Sequence, residues 1–221
     1  MSNEDEEKVD EAAANDAGEV ESAEAREAQL LAAPPPDSIA DLAHACVRFV
    51  ERAVGVKLDF APETLPLLDH YLAGARGVVA ARGDAAPAEP AELVAQAAGA
   101  YLGEVIRRRH ASWWRLGSTG DDHRLEMHRV HLVIHPVVLV SEALSGDLER
   151  GAHDLAGFDL DPSDLDAASR RLAELPDVDL EDFVRPSTRL EVLDIIVDAV
   201  RADHASDGAD PLSLEPNDYV H

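Results

Sequence analysis

A single cysteine, Cys46, rules out an intrachain disulfide, so nothing staples this chain covalently. It falls on the apolar face of a predicted helix and reads as a core thiol rather than a nucleophile. No apolar run approaches the ~20 residues that cross a bilayer. No basic start followed by an apolar stretch marks a leader, and a cytoplasmic protein is expected. Lysine is nearly missing: Lys8 and Lys57 are the only two, against seventeen arginines. With the abundant alanine, this reads as the coding bias of a GC-rich bacterium, with a salt-adapted proteome as the rival explanation.

Positive charge is scarce overall. Nineteen basic residues face 45 acidic ones, a formal net charge of −26. Such a field repels phosphate polyanions and anionic membrane surfaces, which argues against a nucleic-acid or membrane role. It permits a basic protein partner. The excess is spread along the chain, with 11 acidic and 2 basic residues in 1–36 alone. There is no P-loop and no GxGxxG dinucleotide fingerprint, and no cofactor is implied.

What is present is one organising stretch, Ala91 to Leu116, which holds both tryptophans. Proline at position 90 suits a first helical turn. Leu93, Val94, Ala97, Ala98, Tyr101, Val105 and Ile106 recur at three- and four-residue spacing, which predicts a helix with an apolar stripe. Gly99 and Gly103 lie inside it, each costing roughly 1 kcal/mol against alanine; close packing of a neighbour is the expected compensation. Arg107, Arg108, Arg109 and His110 fall in the last turn, where cations suit the helix dipole. Glu104 borders the stripe. Arg108 at i+4 is its local partner and Arg115 a distant one, with a structural salt bridge favoured over a ligand-contacting carboxylate.

Tyr101-Leu102-Gly103-Glu104 followed by Trp114 resembles the YxGE…W pattern of small bacterial domains of unknown function. Ser187-Thr188-Arg189-Leu190-Glu191-Val192-Leu193 is similar to their closing helix, so the likeness covers roughly residues 37–204. The resemblance implies an α+β domain without established chemistry, some of whose relatives look like partner-binding or immunity proteins. It supplies no catalytic residues.

Around this stretch the chain predicts a disordered acidic tail over 1–36, with a transient helix near 23–31, then one α+β domain over 37–205 and a flexible C-terminal tail over 206–221. A domain of about 170 residues buries about 70% of its unfolded surface, enough to fold unaided. Its first helix, capped by Asp37 or Ser38, turns Ile39, Leu42, Cys46, Phe49, Val50 and Ala53 inward and ends at Gly55. A second covers about 64–75, closed by Gly77; Asp69 and His70 diverge on it by about 100° and form no dyad. An Ala/Pro-rich loop spans 83–90. Ala111–Leu116, His123–Met127 and Val130–His135 predict a three-stranded antiparallel sheet packed on the organising helix, with a turn at 117–122. Pro136 starts a helix that Gly146 ends. Asp161 before Pro162 starts another, with Leu165, Ala168 and Leu172 inward. Thr188 and Glu191 make a capping box for the last helix, whose Leu190, Leu193, Ile196, Val197 and Val200 face inward.

Several groups invite a chemical reading. His123, His128, His131 and His135 form a cluster; were their segment helical, His128, His131 and His135 would share one face and could ligate zinc. As a strand it holds His131 and His135 roughly 13 Å apart, so a site would need His123 or His128 and a carboxylate such as Glu126. Asp159, Asp161, Asp164 and Asp166 resemble a calcium loop, but Asp164 stands where glycine is needed and Arg170 where an acid is needed. Ser118, Thr119, Asp121 and His123 are the residue types of a nucleophile set, crowded into one turn without a strand–turn–helix elbow. The reading that remains is a non-enzymatic domain acting through protein contacts. Its candidate surface is Tyr101, Glu104, Trp113, Trp114 and Arg115, with one tryptophan in the core and the other able to anchor a partner. A metal-dependent enzyme or sensor is the alternative; a storage or scaffold role stays open.

Overall fold

The computed structural model describes residues 23–82, 89–145 and 157–219. In chain order these form helix α1 (23–32), α2 (Asp37–Val54), α3 (Leu65–Arg82) and α4 (Glu89–Arg109), then strands β1 (Ser112–Arg115), β2 (Arg124–Met127) and β3 (Leu132–Ile134). Helix α5 (Pro136–Ser145), strand β4 (Phe158–Leu160) and helices α6 (Leu165–Leu172), α7 (Leu180–Phe183) and α8 (Pro186–Ser206) follow. The expectations for 1–22, 83–88, Gly146 and 220–221 lie outside the described residues.

Helix α4 is the hub. Every residue from Ala97 to Arg107 is buried, the charged Glu104 and Arg107 included, so neighbours cover this stretch on all sides. Helices α2 and α5 pack most extensively against it. The glycines mark where neighbours touch its backbone. A Cβ at Gly99 would lie 2.7 Å from Val137 Cα, and one at Gly103 would lie 2.3 Å from the Trp114 ring. Leu93, expected in the stripe, is instead exposed, because the first turns of α4 project beyond their neighbours' cover.

The sheet has four antiparallel strands in the order β1-β2-β3-β4, one more than the sequence predicts. The added strand pairs Leu132 with Leu160, Val133 with Asp159 and Ile134 with Phe158. Three residues are too few for a legible alternation, and the acids within and around them disguise them as a loop. Gly157 enters the strand at φ +84, where a side chain would be strained and would strike Leu139. One sheet face, with Leu125, Met127, Leu132, Ile134 and Phe158, joins the core. Alternation sends Trp113, Arg115, Arg124, Glu126, Val133 and Asp159 to the other face.

Helix ends differ from expectation where tertiary partners intervene. Helix α3 runs on through Gly77 to Arg82. Helix α8 begins at Pro186, two residues before the predicted Thr188–Glu191 box. Asp69 of α3 accepts the Ser187 backbone N–H (3.2 Å) and the Ser187 hydroxyl, so a carboxylate from another helix serves its first turn. Asp37 stands in the first turn of α2, with Pro36 ahead of it and no side-chain cap. Asp161 accepts the N–H and hydroxyl of Ser163 instead of starting a helix. Leu165 faces outward, and Ala168 takes the buried side of α6. The inward set of α8 is buried as the spacing requires, and Cys46 is buried in α2, which pushes its thiol up to about 12.

The boundaries at 36 and 206 need correction at both ends. Ala23 and Leu30 of α1 are buried, and the Leu30 carbonyl accepts Arg107 Nη1–H at 3.0 Å. Residues expected to form a flexible tail return across the sheet. Leu214 N–H donates to the His128 carbonyl (2.9 Å), and Tyr219 is buried with its hydroxyl donating toward the carbonyls of Met127 (2.7 Å) and Val130 (2.9 Å). The ends also meet each other: Arg26 grips Glu215 with two hydrogen bonds. No described helix is long and apolar enough to cross a membrane.

Candidate binding surface

The Tyr-x-Gly-Glu…Trp residues form one packed unit. Gly103 leaves room for the Trp114 indole, whose Nε1–H donates to Glu104 at 2.8 Å. Glu104 is only 1% exposed and receives two parallel bonds from Arg107, at 2.8 and 3.0 Å. The expected i+4 partner, Arg108, stands at 3.8 Å; the i+3 arginine wins because it lies on the buried side of the helix. Tyr101 is fully buried, its hydroxyl accepting the Phe60 N–H at 3.0 Å and bonding Thr64 Oγ1. Burial raises its pKa. The contact holds Phe60 at φ +66, unusual for a side-chain-bearing residue. Tyr101 and Glu104 are therefore removed from the candidate surface. They are architectural.

A second carboxylate mirrors the first across the sheet. Glu126 is fully buried on the outer face, beneath Trp113, Arg115 and Arg124. It accepts Trp113 Nε1–H at 2.7 Å, Arg115 at 3.1 Å and Arg124 at 2.9 Å. Arg115 thus serves Glu126, with a further bond to the Pro216 carbonyl at 2.8 Å, and not Glu104. Neither tryptophan is a pure core residue. Both are half-buried, each indole N–H spent on a carboxylate of its own face. Leu116, beside them, is 47% exposed.

The histidines disperse. His128 is buried in the β2–β3 connection, its Nδ1–H donated to the Leu214 carbonyl at 2.9 Å. His123 accepts the Gly117 N–H through Nδ1. His131 faces Asp161 at 3.6 Å and stacks on Tyr219 at 4.5 Å, while His135 bonds Asp159 at 3.0 Å. Two acids of the calcium-like stretch are thus the partners of two zinc-like histidines; the β3–β4 register brings Asp161 beside His131 and sets Asp159 opposite Val133, diagonal to His135. Asp164, third in that run, bonds His204 of α8 at 2.8 Å. Among the described residues no three His, Cys, Asp or Glu side chains gather to hold a metal. The oxygens of Glu126, the carboxylate considered as a co-ligand, are taken by its three neighbours. In the turn, Ser118 and Thr119 both donate their hydroxyls to Asp122 (2.9 Å each), which with the Thr119 N–H holds that carboxyl below its usual range. No imidazole takes a proton from either hydroxyl.

A groove of about 310 Å³ opens on the outer sheet face, lined chiefly by Arg124, His131, Asp159, Asp161, Pro162 and Tyr219. Sequence reasoning missed it because half its wall comes from β4 and from the returning C-terminal segment. Only the pairing of opposite residue types, His-x3-His against Asp-x-Asp, hinted at it. No family model, curated protein or solved structure matches this chain.

Proposed function

We propose that this chain is a protein-interaction domain that takes a basic side chain of a partner into the groove on its outer sheet face. The carrying observation is the groove's composition: Asp159, bonded to His135 but 72% exposed, and Asp161 stand beside the stacked His131–Tyr219 pair, and the groove's own Arg124 is turned to Glu126. A guanidinium or ammonium gains carboxylate acceptors there, with an aromatic face beside them. Trp113 meets Tyr219 edge-on at 5.7 Å, Arg115 stands on the same face, and exposed Leu116 follows at the end of β1. The net charge of −26 steers basic partners toward this surface. An immunity or adaptor role, blocking a basic protein, is the specialisation this favours.

Charge reversal tests it. The Asp159 side chain is 72% exposed, so Asp159→Lys leaves the fold intact. Recovery of a basic partner from native lysate should fall about tenfold, the effect of roughly 1.4 kcal/mol, with Leu116→Ser giving a smaller loss. Equal recovery of every partner by wild type and both variants removes the groove from consideration.

A further inference from the structure

A second cleft, of about 190 Å³, lies on another part of the molecule and has the opposite chemistry. Its walls are Arg201, His204 and Ala205 from the last turns of α8, Ala209 and Leu212 from the segment that follows, and Arg129 from the β2–β3 connection. Among the described residues no acidic side chain lines it. Two of the three basic groups are already committed. Arg129 holds Glu27 through Nε at 2.8 Å and the Leu212 carbonyl through Nη1 at 3.1 Å. His204 spends Nε2 on Asp164. Arg201 is different: among the described residues its guanidinium makes no ion pair and no side-chain hydrogen bond. The cleft therefore presents the N–H donors of an exposed, uncommitted arginine beside an open apolar lining of two alanines, Pro211 and Leu212.

We infer that this cleft binds a small carboxylate carried on an apolar body, with Arg201 as the carboxylate's partner. The volume equals about six waters at ~30 Å³ each, room for a carboxylate and a short branched chain or one ring. Planar two-point pairing suits guanidinium and carboxylate, and the alanine and leucine floor favours a hydrocarbon over a sugar or a hydrated phosphate. The chain's acidic field does not forbid this. At 0.15 M salt the Debye length is about 8 Å, so distant carboxylates are screened, while nearby Glu27 is paired with Arg129 and Asp164 is hydrogen-bonded to His204.

The probe is benzoate, with benzamide and chloride as controls, titrated at constant ionic strength against full-length protein and followed by NMR shifts of the Arg201 and His204 side chains. Benzoate should saturate with a dissociation constant on the order of 1 mM, ordinary for a ligand of about nine non-hydrogen atoms. Benzamide should not bind. Arg201→Gln should weaken benzoate at least tenfold, whereas Arg52→Gln, at an exposed arginine in the last turn of α2, should leave it unchanged. A linear, unsaturated response to benzoate overturns the inference, as does equal binding of benzamide or full retention in Arg201→Gln.

Discussion

Replacing Gly99 and Gly74 by alanine, one at a time, should move stability in opposite directions. Both glycines lie inside long helices, so each replacement gains about 1 kcal/mol of helix propensity. At Gly74 a Cβ meets nothing within 4 Å, and that gain survives intact. At Gly99 the new Cβ would lie 2.7 Å from Val137 Cα and 2.9 Å from Val137 N. Those atoms are backbone and cannot rotate aside, so α5 must be pushed off α4. Overpacking of this kind costs about 3 kcal/mol at the upper end of its range; less the propensity gain, about 2 kcal/mol is lost. The two variants should then differ by about 3 kcal/mol. With a urea m-value of about 2 kcal/mol/M, their midpoints should stand about 1.5 M apart, wild type between them. If Gly99→Ala is stabilised as much as Gly74→Ala, the α4–α5 contact is not the close one described, and the packing argument fails.

Further consequences can be read from the buried polar groups. Glu104→Gln should cost about 3 kcal/mol in chemical denaturation, because it strands the Arg107 guanidinium in the core without its counter-charge. Cys46 should resist Ellman's reagent at pH 8 in the native state and react fully in 6 M guanidinium, since burial pushes the thiol up to about 12. Asp194 is partly desolvated, which raises its pKa, but hydrogen bonds from His110 (2.7 Å) and Arg109 (2.7 Å) outweigh this and hold it below its usual value. A depressed folded value means its stabilisation is complete above about pH 4 and is lost as pH falls through the lowered value. Asp194→Asn should therefore be less stable than wild type at pH 7, and the difference should shrink as urea unfolding is repeated toward pH 3.

Much of the architecture is readable from local pattern. The hub helix, its two notching glycines, the hairpin strands and the inward face of α8 follow from spacing and turn chemistry within short windows. What escaped has one physical origin: partners far apart in the chain. Strand β4 has too few residues to show a period, and Asp159 within it and Asp161 just past it are explained by the histidines of the neighbouring strand's flanks. The cap of α8 comes from Asp69, 118 residues away from Ser187, so the local Thr188–Glu191 pattern pointed to the wrong turn. Glu104 was correctly read as half of a salt bridge, but which arginine it takes depends on which flank of α4 is covered. Trp113 and Arg115 stand on the outer sheet face, while Tyr101 and Glu104, from the same motif, are buried and hold the scaffold together.

Arg129 ties Glu27 of the first helix to the Leu212 carbonyl near the other end, and Arg26 reaches Glu215 beside it. Cutting the chain to 37–205, the limits its pattern suggests, would remove both halves of this clasp at once. It would leave the guanidinium groups of Arg107 and Arg129 short of acceptors and bare the indole of Trp113. Expression of the shortened piece would then report on that injury. The better cuts fall outside Ala23 and Tyr219, which keeps Arg26 and Glu215 together.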